Sequence, residues 1–71
     1  MPKRFENPIE IPPKVFEGLE AVRASEVANM KDYASVQVAA ARLGHPETVL
    51  WLEWHQREYR EGLFRGFVAE E

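Results

Sequence analysis

Apolar residues recur along the chain at helical spacing, and prolines and glycines mark where each run stops. Val15, Phe16, Leu19 and Val22 fall on one face at about 100° per residue. They predict a first helix that begins at Pro12 or Pro13, since proline is tolerated in the first turn, and runs to about Ser25. Arg23 projects into the same arc. It is either a C-terminal cation suited to the helix dipole or a partly buried group held for an anionic partner or an intersubunit carboxylate. Upstream, Pro2, Pro8 and Pro12 make residues 1–12 an extended arm, because proline fixes φ and biases its predecessor away from helix. Ile9 and Ile11 offer that arm an apolar contact with the body or with a neighbouring subunit.

Residues 26–32 read as a connector. Asn29 suits an Asx turn or a left-handed position, Met30 plugs the core, and Asp32 caps the next helix. Tyr33, Val36, Ala40 and Leu43 then mark a second helix over about 33–43, stopped by Gly44. A third helix starts at Pro46, with Glu47 at its positive end, and extends to about Gly62. Its main stripe is Val49, Leu52, Tyr59 and Leu63, with Gln56 inside it.

Leu50, Trp51 and Trp54 stand on other faces of this third helix, whereas a helix in a small bundle normally hides one stripe. Each tryptophan can remove ~200 Å² from water, at most about 5 kcal/mol at ~25 cal/mol per Å². The pattern therefore predicts a second covered surface, either a subunit interface or a ligand groove. The plainer alternative packs both tryptophans on the first helix and the arm. The apolar segment Leu63–Val68 finishes the helix and folds back, or reaches across to another chain, and residues 69–71 fray. The fold class that follows is all-α: an extended proline-rich arm (1–12), a three-helix domain (13–68) and a frayed tail (69–71), assembled as a homo-oligomer.

Composition narrows the options. A chain of 71 residues makes one domain with a marginal core. It has no cysteine, which removes disulfides, thiolate metal sites and thiol catalysis and leaves subunit association as support. A 45% hydrophobic and 30% charged composition is that of a globular chain. The net charge of −3 comes without a basic stripe, so phosphate backbones and anionic lipid exert no general attraction. The apolar runs are too short to span a membrane, and the polar, proline-rich start is not a signal peptide. A cytoplasmic protein is expected.

Candidate chemistry is sparse. His45 and His55 lack the i+3 or i+4 partner of a helical metal pair, and no cofactor motif is present. No phosphate loop, activated serine or paired metal carboxylates occur, so the expectation is a protein that is not an enzyme. The run from Val38 to Leu52 is similar to a helix-turn-helix, and a DNA-binding regulator using the second and third helices is the alternative reading. Two features argue against nucleic acid. The turn is shorter than that pattern carries, and Glu47, Glu53, Glu58 and Glu61 outnumber Arg57 and Arg60 on the helix that would meet phosphates. Arg23, Arg42, Arg57, Arg60 and Arg65, with Tyr33, Tyr59, Trp51 and Trp54, compose either an arginine-aromatic set fit for a small nucleotide or a solvated face with pairs such as Glu53–Arg57.

The segments Ala21-Val22-Arg23, Asn29-Met30-Lys31-Asp32, Gly44, Leu50-Trp51-Leu52-Glu53 and Glu58-Tyr59 together resemble a short domain of unknown function found in phages and in prophages of Gram-positive bacteria. The resemblance covers most of residues 15–67. Lys31 stands where members often carry an aromatic residue. The resemblance implies a phage setting, and with it a protein that acts stoichiometrically on the host. It makes Arg23, Asn29, Asp32, Glu53 and Tyr59 candidates for a shared site, or else caps and intersubunit hydrogen bonds. Together with the aromatic face, the candidate binding residues are Arg23, Asn29, Asp32, Trp51, Trp54, Tyr59 and Arg60. The expected activity is to antagonise a host process, defence above all. The expected partners are a second copy of the chain and a host defence protein or a small nucleotide signal.

Overall fold

A computed structural model describes residues 7–26 and 28–71. The chain is mostly helical, but among the described residues it forms four helices and a strand pair where the sequence pattern predicts three helices alone. In order these are β1 (Ile9–Ile11), α1 (Pro13–Ser25), α2 (Tyr33–Arg42), α3 (Pro46–Trp54), α4 (Gln56–Arg65) and β2 (Phe67–Ala69). Half of the predicted arm, residues 1–6, lies outside the described residues.

The helices begin and end for local reasons. Pro13 opens α1, and Phe16 N–H donates to the Pro12 carbonyl at 2.9 Å. Val15, Gly18, Leu19 and Val22 form the buried face of α1, and Glu26 in a left-handed conformation ends it. Asp32 caps α2 by accepting from the Ser35 N–H and hydroxyl. The Ser35 bonds, from side chain and then backbone, hold its carboxyl below the usual carboxylate range. Gly44 at φ 83° stops α2, and the His45 N–H returns to the Ala40 carbonyl at 2.9 Å. Leu43, predicted in the buried stripe of that helix, is instead 41% exposed at its cap.

The predicted third helix breaks at His55, which sits at φ −132° and ψ 43° between α3 and α4. In an unbroken helix the Trp51 carbonyl would accept from the residue-55 amide. Here the His55 Nδ1 lies 2.9 Å from that carbonyl. A carbonyl only accepts, so this contact places the imidazole proton on Nδ1. The two rings also stack, with centroids 4.8 Å apart and planes 10° from parallel. The side chain thus replaces the backbone bond that the break gives up.

The tail is the second departure from an all-helical fold. Phe67–Ala69 pairs in parallel with Ile9–Ile11, in the register Ile9↔Phe67, Glu10↔Val68 and Ile11↔Ala69. The Glu70 N–H adds a bond to the Ile11 carbonyl at 2.8 Å, so residues 69 and 70 are tied down where fraying is predicted. The core beneath is Ile11, Val15, Leu19, Val22, Val36, Ala39, Ala40, Leu52 and Tyr59. Two glycines let elements close on one another. Gly18 on α1 faces the buried Thr48 of α3, whose hydroxyl reaches the Lys14 and Val15 carbonyls at 3.4 and 3.5 Å. Gly62 on α4 receives the ring of Phe67.

Candidate functional site

The connector residues serve the fold. Asn29 accepts from the Lys31 N–H through its side chain, at 2.9 Å, and from the Asp32 N–H through its carbonyl, at 2.8 Å. Tyr59 is 1% exposed and donates its hydroxyl to the Met30 carbonyl at 2.5 Å. Asn29, Met30, Asp32 and Tyr59 therefore meet as a latch that pins the connector to α4. Tyr59 stacks inward on Phe67 at 5.8 Å and offers no face to a partner. Tyr33 closes a similar latch by donating to the Leu52 carbonyl.

Burial pushes the Tyr59 hydroxyl up to about 12, because the phenolate would lose its hydration. The neutral form is favoured on folding, so its contribution is complete below the unfolded pKa of about 10 and is lost as pH rises through 12. Thermal melts across that window are expected to show a loss of roughly 2–3 kcal/mol. Tyr59→Phe shrinks this loss without abolishing it, since Tyr33 is also raised, by desolvation first and by Glu53 second. An identical alkaline profile for the variant would place the titration elsewhere.

The arginines do not converge. Arg23 is exposed and pairs with Glu20 at 2.7 Å, and this hydrogen bond and charge raise its pKa. It lies on the rim of a hollow of about 380 Å³ floored by Phe16, Leu19, Met30, Leu63 and Phe67. Arg60 is exposed on α4.

Trp51 and Trp54 do come together. They share a groove of about 480 Å³ with Leu50, His55, Val15 and Pro12, and Lys14 and Glu47 are its charged residues. Trp51 is half-buried, held by its stack on His55 and edge-on to Phe67 at 6.4 Å. Leu50 is 59% exposed and Trp54 is 74% exposed. Trp51 packs against the core beside the start of α1, as the plainer alternative has it, whereas Trp54 stays largely exposed. Pro12, Lys14 and Val15, the wall supplied by the start of α1, are not legible as site residues. The close Gly18–Thr48 approach helps bring α1 beside α3, and no spacing announces it.

Residues 12–66 match the model of a family described as a domain of unknown function, DUF5049. The chain belongs to this family. The matched span contains all four helices of the DUF5049 domain, with β1 and β2 just outside it. No curated protein and no solved structure matches the chain. Among the described residues of the DUF5049 domain, no three His, Asp or Glu side chains gather as a metal site. No helix among them is long and apolar enough to cross a membrane.

Proposed function

We propose that this DUF5049 domain is a non-enzymatic binding module that holds a partner protein against the exposed face of α3. One observation carries the reading: Trp54 and Leu50 stand exposed beside an apolar groove whose wall, the Trp51–His55 stack, is already ordered. Covering the exposed part of Trp54 contributes on the order of 3–4 kcal/mol. Tryptophans beside a preformed pocket are the usual anchors of protein interfaces.

The resemblance to phage and prophage domains supports a host protein as the partner, a defence component above all, met inside the infected cell. A small nucleotide signal fits this groove less well. Arg23 and Arg60 lie elsewhere, and the groove's charges are one lysine and one glutamate. The outward side of α3 carries Glu47, Leu50, Glu53 and Trp54, a poor match for duplex phosphates.

Affinity purification from host cells with the wild type and Trp54→Ala, read by mass spectrometry for proteins and small molecules, tests the proposal. The wild type is expected to retain one host protein. Trp54→Ala is expected to bind it at least roughly 30-fold more weakly, with a melting temperature within about 2 °C of the wild type, because the side chain is largely in solvent. Equal recovery by the variant would remove the α3 face as the site. Retention of a nucleotide, or salt-dependent binding to duplex DNA, would replace the proposal with the sequestering or regulatory reading.

A further inference from the structure

The two outer edges of the strand pair are built differently. In the parallel register, Ile9 and Ile11 direct their amides and carbonyls at β2, and Val68 directs both of its own at β1. The outer edge of β1 is thus left to Glu10. Pro8 and Pro12 flank it without amide donors, and Glu10 adds a charge. Proline and charge are the devices that blunt a strand edge.

The outer edge of β2 has neither device. Phe67 and Ala69 turn their N–H and C=O groups outward, and none of these four groups meets a protein partner among the described residues. Val68 between them is apolar and 39% exposed. Two strands alone are marginal, and this pair is held by packing on α1 and α4, which leaves the β2 edge open.

We infer that the free edge of β2 pairs with β2 of a second copy of this chain, antiparallel and about a two-fold axis through Val68. In that register Phe67 lies opposite Ala69 of the second copy, and Ala69 opposite its Phe67, so all four outward groups are satisfied by four hydrogen bonds. The two Val68 side chains meet at the dyad on the solvent face. A symmetric antiparallel pair through β1 would instead set Glu10 against Glu10, two like charges face to face. The Glu10 repulsion and the flanking prolines therefore leave β2 as the edge that pairs. The product is a four-stranded sheet ordered β1-β2-β2-β1 across two copies. The α3 groove takes no part in it, so this assembly and the partner-binding role stand or fall separately.

Sedimentation of the full chain at about 100 µM is the test, at a concentration far above the micromolar range of weak specific pairing. The wild type is expected at twice the 8.2 kDa chain mass. Val68→Lys and Val68→Glu each put like charges at the dyad and are expected to weaken the dimer at least roughly tenfold. Mixed together they are expected to pair again, because Lys then meets Glu. Ala69→Pro removes one outward N–H and leaves the bonds to β1, so it is expected to sediment as a monomer with an unchanged helical circular dichroism signal. A monomeric wild type overturns the inference. So does a dimer that is indifferent to either charge at position 68, or one that the mixture fails to restore.

Discussion

Gly18→Ala will lower the melting temperature by roughly 10–20 °C, the reverse of what the same change does on an open helix face. In a helix interior, glycine to alanine is ordinarily favourable by about 1 kcal/mol. Here a Cβ at residue 18 would overlap the Thr48 hydroxyl, lie 2.8 Å from the Thr48 Cβ and stand 3.1 Å from the Cβ of His45. These atoms sit next to the α3 backbone, so no rotamer change clears the space. Either α1 and α3 separate or the turn before α3 shifts. Overpacking of this kind costs about 1–3 kcal/mol and sometimes more. A domain of this size holds on the order of 4–10 kcal/mol in total, and 1 kcal/mol corresponds to about 4–8 °C. Thr48→Ala in the same chain removes the hydroxyl and is expected to recover part of the loss. A Gly18→Ala protein that melts at or above the wild type would mean that the two helices do not approach as described.

Gly62→Ala acts on a different part of the molecule. Its Cβ would overlap the ring of Phe67, with Cε2 at 2.7 Å. That ring stacks on Tyr59 and meets Trp51 edge-on, so it cannot step aside without leaving both. The expected cost is about 2 kcal/mol. It should appear first as an opening of β1 from β2, read as faster hydrogen exchange at the Ile9, Val68 and Glu70 amides, while α2 keeps its protection. Phe67→Leu in the Gly62→Ala background should restore part of the stability, although alone it destabilises. Uniform loss of protection across α2 and the strands would contradict a local clash.

These two glycines also show what can and cannot be read along the chain. The limits of α1 and α2 were legible because their signals are local: Pro13 in a first turn, Asp32 three residues before the amide it caps, Gly44 at a left-handed stop. The break at His55 was not. No proline or glycine marks it, and what holds it is a ring stack and a side-chain contact with a carbonyl four residues back. The strands were not legible either, since a three-residue segment carries too little alternation to stand out and its partner lies at the other end of the chain. Gly18 and Gly62 sit inside helices, where sequence alone makes them look like weak points when they are points of contact.

The candidate site divides the same way. Trp51 and Trp54 stand out in the sequence because apolar residues surround α3, and they line one groove. Tyr59 carries the same aromatic signal but is buried. The stripe it shares with Leu52 is the one that faces the core, and a tyrosine hydroxyl can go inside when a free carbonyl such as that of Met30 awaits it.

The strand pair also sets the order in which the chain can assemble. The bond from Arg65 to the Asn7 carbonyl, beside the pair, joins residues 58 positions apart. Loop closure over such a distance is rewarded only once the intervening helices have shortened the span. The helical layer can therefore nucleate through neighbours, and β1 and β2 dock as the closing step. Changes in the strands will chiefly accelerate unfolding, while changes at the α1–α3 approach reach back to the folding barrier itself.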